Sequence, residues 1–223
     1  MIVFAVFAAV SLALGFALKP QYSGSPVMFA VVAAPYAVFA AVAIYRMWDE
    51  GVLADKLRPK SGDLGFGAFV AMMLFFGAIA GRMLLAPHGS QREGWLIRLY
   101  LQFGEPERLQ QRFVMLSLTI AFVAALEELV WRGLVFPKLE EKIGTRRAWP
   151  ATAVLYALAH TPTLWVLRDP FAGLNPLVFV AALGCGLVWG LIVAQTGRLP
   201  VAIVSHAFFT WAVVMQFPLW RLG

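Results

Sequence analysis

Glu127, Glu128 and Arg132 stand in the sequence Glu127-Glu128-Leu-Val-Trp-Arg132, inside an apolar run from about Phe113 to Phe136. That run is long enough to cross a bilayer, where a charge near the centre of a helix costs about 2.5 to 3.5 kcal/mol on insertion scales. Three ionisable groups in a turn and a half therefore need partners or water, and they mark where chemistry is expected. Glu128 and Arg132 are four apart and share a helix face, while Glu127 points roughly 100° away and stays free for other work. Two histidines extend the set: His160 in Tyr156-Ala-Leu-Ala-His160, read as mid-span, and His206 in Ser205-His206-Ala-Phe-Phe-Thr210. Either histidine alone is more simply a packed residue; their depth argues for more. If helices alternate in direction, loop 137–148 and turn 196–200 open on one membrane face. Counting inward from it, Glu127 is about 10 residues deep, His160 about 11 and His206 about 7, roughly 10 to 17 Å at 1.5 Å per residue.

A carboxylate and an imidazole on one water act as general bases, and donors opposite can hold the oxyanion of a tetrahedral intermediate, which together hydrolyse an acyl bond. The same residue types also suit zinc, with Glu128, His160 and His206 as ligands and a fourth position left for water. Spacing does not separate these two chemistries. There is no HExxH signature and no GxSxG, and Ser205 directly precedes His206 on a helix and so points elsewhere. Pro162 is expected to free the carbonyl of Leu158 and loosen the helix beside His160. His206 and Thr210 are four apart and face the same way. The lone cysteine, Cys185, excludes an internal disulfide and reads as a small packing residue.

Positioning these groups falls to a hydrophobic scaffold. Of 223 residues 61% are hydrophobic and 13% charged, too apolar for a soluble domain of this length. The expectation is an all-α polytopic membrane protein, a bundle of about seven to eight transmembrane helices. Apolar runs of about the required length give spans at 2–18, 27–48, 64–86, 112–136, 149–167, 174–195 and 199–220. No linker, low-complexity tract or repeat divides the chain, so residues 1–223 read as a single membrane domain. Trp48, Trp149, Trp165 and Trp220 fall near span ends, as an interfacial belt would place them. Residues 93–103 have the pattern of a short amphipathic helix lying in the interface. Ala182, Gly186, Gly190 and Ala194 recur every four residues and form a smooth ridge for close packing, expected to be scaffold without chemistry. The net charge of +6 is scattered through loops, as topology signals and lipid headgroup contacts would be, and nucleic acid is not an expected partner.

These motifs resemble the CPBP intramembrane proteases, which include the type II CAAX prenyl endopeptidases. That family has a Glu-Glu-x-x-x-Arg motif, an aromatic-x-x-x-His motif, and a His-x-x-x-Asn/Asp motif after a glycine-rich helix. Here they correspond to Glu127 to Arg132, Tyr156 to His160, and His206 to Thr210, the last approached through Gly190, Gly197 and Pro200. The likeness covers about 112–212, read as the catalytic core. It departs at Thr210, where the family has Asn or Asp. The resemblance implies a glutamic-type intramembrane endopeptidase without an obligatory metal. In it Glu127 and His160 activate water, His206 holds the oxyanion with Thr210 assisting, and Glu128, Arg132 and Tyr156 support them. It also implies a membrane-associated protein or peptide substrate in a prokaryotic plasma membrane. The alternative is a catalytically silent scaffold, immunity or regulatory protein of the same family.

Overall fold

The computed structural model describes residues 1–216, leaving aside the side chains of Pro106, Arg108 and Gln216; Trp220 and the end of the last expected span lie outside the described residues. The chain is helical throughout: α1 (Ile2–Ala17), α2 (Pro26–Asp49), α3 (Leu53–Leu57), α4 (Asp63–Leu85), α5 (Glu93–Leu101), α6 (Pro106–Gln111), α7 (Phe113–Val130), α8 (Phe136–Ile143), α9 (Thr145–Ala159), α10 (Pro162–Val166), α11 (Leu177–Thr196) and α12 (Pro200–Gln216). This is an all-α polytopic membrane protein. Pro26–Asp49, Asp63–Leu85, Phe113–Ile143 and Leu177–Thr196 are long and apolar enough to cross a membrane, and α1 and most of α12 are shorter apolar helices beside them. Large side chains such as Phe4, Leu12, Phe69, Phe76, Leu118 and Phe122 point outward, as lipid-facing positions of a bundle do.

Two expected spans have different bounds. The span drawn over 149–167 is two helices, because α9 begins at Thr145 and ends at Ala159, with His160 as its C-terminal cap. His160 is therefore at a helix end and not mid-span. Pro162 is the cause: it takes the first position of α10, where its missing amide costs nothing. The carbonyl of Leu158 is not left free, since the amide of Thr161 bonds it at 3.0 Å and the Thr161 hydroxyl donates to it as well. The fourth span continues past Phe136 to Ile143, through one turn of π-helix at Trp131–Val135. Single π turns widen a helix by one residue and are frequent at functional sites. Gly144, at φ 74°, then reverses the chain into α9 with no other connecting residue, a conformation that favours glycine.

In the bundle α12 packs on α4 and α7, α11 on α9, and α2 on α1 and α7. Backbones approach closely where small residues allow it. A Cβ on Gly67 of α4 would stand 2.6 Å from Val204 Cγ1, and one on Gly186 of α11 would stand 3.1 Å from the ring of Tyr156. The expected ridge on α11 is therefore a packing surface, with Gly186 against Ala153 and Tyr156 and Gly190 against Trp149. Trp149 is thus drawn inward, while Trp48 and Trp165 remain exposed. The amphipathic segment forms α5, whose Tyr100 hydroxyl donates to the carbonyl of Val213 at 2.7 Å. On the opposite end, Arg198 grips Asp63 with two bonds of 2.8 Å and the amide of Leu199 bonds the carbonyl of Lys56, fixing the α11–α12 turn beside the start of α4. The main core surrounds the π turn. Trp131, Leu134 and Val135 are buried among Tyr36 and Ala40 of α2, Tyr156 of α9 and Trp189 of α11.

Candidate active site

Glu128 and Arg132 face each other as their spacing predicts. Arg132 Nη1 donates to Glu128 Oε1 at 2.9 Å, and both side chains are wholly buried. The other arm of the guanidinium donates to the carbonyl of Gly186 at 3.1 Å. Its planar head lies 4.9 Å from the ring of Tyr156 and 5.5 Å from that of Trp189, so two aromatic faces help carry a charge withdrawn from water. The glycine ridge of α11 therefore does more than pack, because it also supplies an acceptor to the arginine.

His206 reaches the same carboxylate from α12. Its Nδ1 lies 2.9 Å from Glu128 Oε1, and its ring stacks on Trp189 with centroids 3.9 Å apart and planes 20° from parallel. The indole is itself fixed, donating from Nε1 to Ser205 Oγ at 3.1 Å. Ser205 thus turns toward α11 and away from any nucleophilic position, as expected. Glu128 Oε2 and Arg132 Nε are buried with no partner among the described residues. A buried ion pair with unsatisfied atoms is a poor source of stability, so the cluster is retained at a cost.

Glu127 occupies the neighbouring face of α7 and is only partly buried. The hydroxyl of Tyr156 donates to its Oε2 at 2.9 Å. Tyr156 also orients His160 one helical turn on, because His160 Nδ1 lies 2.7 Å from the Tyr156 carbonyl. A carbonyl only accepts, so Nδ1 carries the proton and Nε2 of the neutral ring keeps its lone pair. The two rings meet edge to face at 4.7 Å, and the Thr163 hydroxyl closes the turn on the His160 carbonyl. Glu127 lies within electrostatic range of His160.

The structure therefore joins Glu127, Glu128, Arg132, Tyr156, His160 and His206 in one polar layer. Thr210 does not enter the network: it is half-buried, one turn after His206, and its hydroxyl makes no hydrogen bond among the described residues. Three contributors were not legible as site residues. Trp189 and the Gly186 carbonyl come from a helix read as scaffold, and Tyr36 of α2 sits 3.4 Å from Trp131 Nε1. The available signals were a tryptophan within the glycine-rich helix and a tyrosine beside Pro35 in the middle of an apolar span.

Of the three zinc donors that the sequence offers, Glu128 shares its Oε1 with Arg132 and His206.

A polytopic helical bundle thus holds two glutamates, an arginine and two histidines in one layer within its membrane-spanning helices. Residues 109–212 match the model of a family described as type II CAAX prenyl endopeptidase Rce1-like. The likeness supports an intramembrane protease, and the match contains all six residues of the layer. No curated protein and no solved structure matches the chain.

Proposed function

We propose that this protein is an intramembrane endopeptidase that cleaves a peptide bond in a membrane-associated protein or peptide, near its C-terminus, using water activated by Glu127 and His160. The observation that carries the reading is the double hold of Tyr156, whose side chain fixes the carboxylate while its carbonyl fixes the imidazole. Two bases are thereby presented together, one with a free carboxylate oxygen and one with a free Nε2. One base takes a proton from water as its oxygen attacks the carbonyl carbon of the scissile bond. When the tetrahedral intermediate collapses, the C–N bond breaks and that proton passes to the departing amine, leaving a carboxylate and an amine.

His206 is suited to the oxyanion. With Nδ1 bonded to Glu128, the doubly protonated ring is the form that also donates from Nε2. Glu128 and Arg132 then hold His206 in place, and Thr210 supplies a second, shorter donor. No metal is invoked. The family likeness supports a bilayer setting with a membrane-associated protein or peptide as substrate, and the proposed location is a prokaryotic plasma membrane.

The test is cleavage of a candidate substrate by purified protein in liposomes, the candidate being found as a C-terminal truncation that depends on this protein in whole membranes. Wild type should cleave with or without a strong chelator, and Glu127→Gln should not. Loss with chelator alone would overturn the metal-free mechanism. Thr210 favours one other reading, a silent immunity or regulatory scaffold. An immunity phenotype that survives Glu127→Gln would support it.

A further inference from the structure

A cavity of about 200 Å³ lies between α2, α3, α8 and the α11–α12 turn, at the end of the bundle that carries loop 137–148. Arg132, Gly133 and Leu134 of the π turn line it on the buried side, and Arg46, Glu50, Lys56 and Glu141 on the side of the loops. Its walls are fastened. The amide of Leu199 bonds the Lys56 carbonyl at 3.0 Å, that of Val52 bonds the Met47 carbonyl at 2.9 Å, and Arg198 holds Asp63 through two bonds of 2.8 Å. A Cβ on Gly133 would stand 3.1 Å from Met47 Cε and 3.4 Å from Leu199 Cδ1, so the inner side is narrow as well as fixed.

Both acids of the lining are already answered. Glu50 accepts from Arg46 at 2.8 Å, and Glu141 accepts from Lys138 and lies 4.0 Å from Arg46. Lys56 is half-buried in the wall, and its side chain makes no hydrogen bond or ion pair among the described residues. Met47, Val52, Pro137, Val193 and Leu199 make the rest of the lining apolar. A surplus cation among aliphatic side chains suits an anion that carries an apolar part of its own. The setting says which anion. Tyr45 and Trp48, on the turn of α2 that bears Arg46, are exposed with their rings 6.0 Å apart, as anchors at a membrane interface are. Segments 46–63 and 138–147 together with Arg198 carry nine Lys and Arg against six Asp and Glu, so this end of the bundle attracts anionic headgroups.

We propose that this cavity is a binding site for an anionic membrane phospholipid, with its phosphate against Lys56 and Arg46 and its glycerol and first methylenes against the apolar wall. The volume is that of about 7 waters, which admits a phosphate and its glycerol and leaves the acyl chains in the bilayer. Arg46 keeps donors to spare after bonding Glu50, since a guanidinium has five. The site goes beyond the hydrolytic reading and does not depend on it. A lipid seated there ties α2 and α3 to the π turn, three elements that the cavity otherwise separates.

The test is thermal unfolding of the full chain in a neutral detergent, titrated with phosphatidylglycerol, phosphatidylcholine or inorganic phosphate. Phosphatidylglycerol should raise the unfolding temperature saturably, by about 5 °C at a hundredfold excess over its Kd, and phosphatidylcholine should not. Lys56→Gln should weaken phosphatidylglycerol at least 10-fold, while Lys56→Arg keeps the charge and should restore it. Lys142→Gln removes an equal charge from the same end of the bundle, away from the cavity lining, and should leave the titration unchanged. Equal losses in Lys56→Gln and Lys142→Gln, or no loss in Lys56→Gln, would reduce the effect to general surface attraction and overturn the proposal. Inorganic phosphate that matches the lipid at equal concentration would make this a free-anion site instead. A short peptide that reproduces the shift with a free C-terminal carboxylate, but not as its amide, would reassign the cavity to a peptide end.

Discussion

The phenol of Tyr156 and the carboxylate of Glu127 are 2.9 Å apart across the contact between α7 and α9, although 29 residues separate them in the chain. Tyr156→Phe should therefore fold normally and lose kcat by about 10- to 100-fold with little change in KM, the value of a hydrogen bond to a charged group that matters in the transition state. Steady-state kinetics on a demonstrated substrate measure this directly. Glu127→Gln should lose more, about 100-fold or beyond, because a base is removed and not merely its support.

Arg132 is held by Glu128, by Gly186 and by two aromatic faces, with no exposure of the side chain. Arg132→Ala should cost about 3 to 5 kcal/mol because it leaves a buried carboxylate without its partner. The paired replacement of Arg132→Met with Glu128→Leu should recover most of that stability. Thermal unfolding in detergent would show both, and the double variant should remain folded but inactive, since His206 then loses its anchor.

Much of this site was readable from residue types and spacing. The Glu128 and Arg132 pair follows from a four-residue interval, and the common depth of Glu127, His160 and His206 follows from counting inward along alternating helices. What was not readable depends on departures from regular helix. A π turn has no composition signal, so the widening at Trp131–Val135 is seen only in the backbone. The break at His160 was placed one step too softly, because Pro162 begins a new helix and does not merely loosen an old one. Trp189 and Tyr36 lie on helices whose sequences announce packing, and only the crossing of those helices brings them to the layer.

Gly186 tests how tightly that layer is set. A Cβ there would stand 3.1 Å from Tyr156 Cδ1 and 3.4 Å from the backbone of Ala153, so Gly186→Val forces the ring or the helix to move. Overpacking of this kind costs about 1 to 3 kcal/mol. The expected outcome is a lower unfolding temperature and a larger fall in kcat than in KM, since the displaced ring carries both the Glu127 and the His160 contacts.

Thr210 offers a gain of function. Its hydroxyl is uncommitted and short, and the related motif has an amide or carboxyl side chain at that position. Thr210→Asn should raise kcat, and Thr210→Val should lower it, by up to about 100-fold if the hydroxyl is the second oxyanion donor. Equal rates for all three side chains would remove this position from the mechanism.

Asp169 governs a pH response far from the chemistry. Its carboxylate accepts the amides of Ala172 and Phe171 at 2.9 Å each, which hold it below the ordinary value of 3.8. A group held low contributes fully above its unfolded value and loses that contribution as the pH falls through the lower folded one. Protection of the Phe171 and Ala172 amides should therefore hold above about pH 4 and fall as the pH drops below it, and Asp169→Ala should remove it throughout.

The π turn gives the site an evolutionary fragility. A wide turn is a helix carrying one surplus residue, so deleting a single codon within Trp131–Val135 would let the segment relax into ordinary α-helix. The segments on either side would keep their faces, because the wide turn is what absorbs the surplus residue, but the packing of Trp131, Arg132 and Gly133 inside it would be redrawn. The apolar character of the span would be untouched, and so would its fitness to insert. One lost triplet would thus leave the span whole and undo only the contacts built on its wide turn.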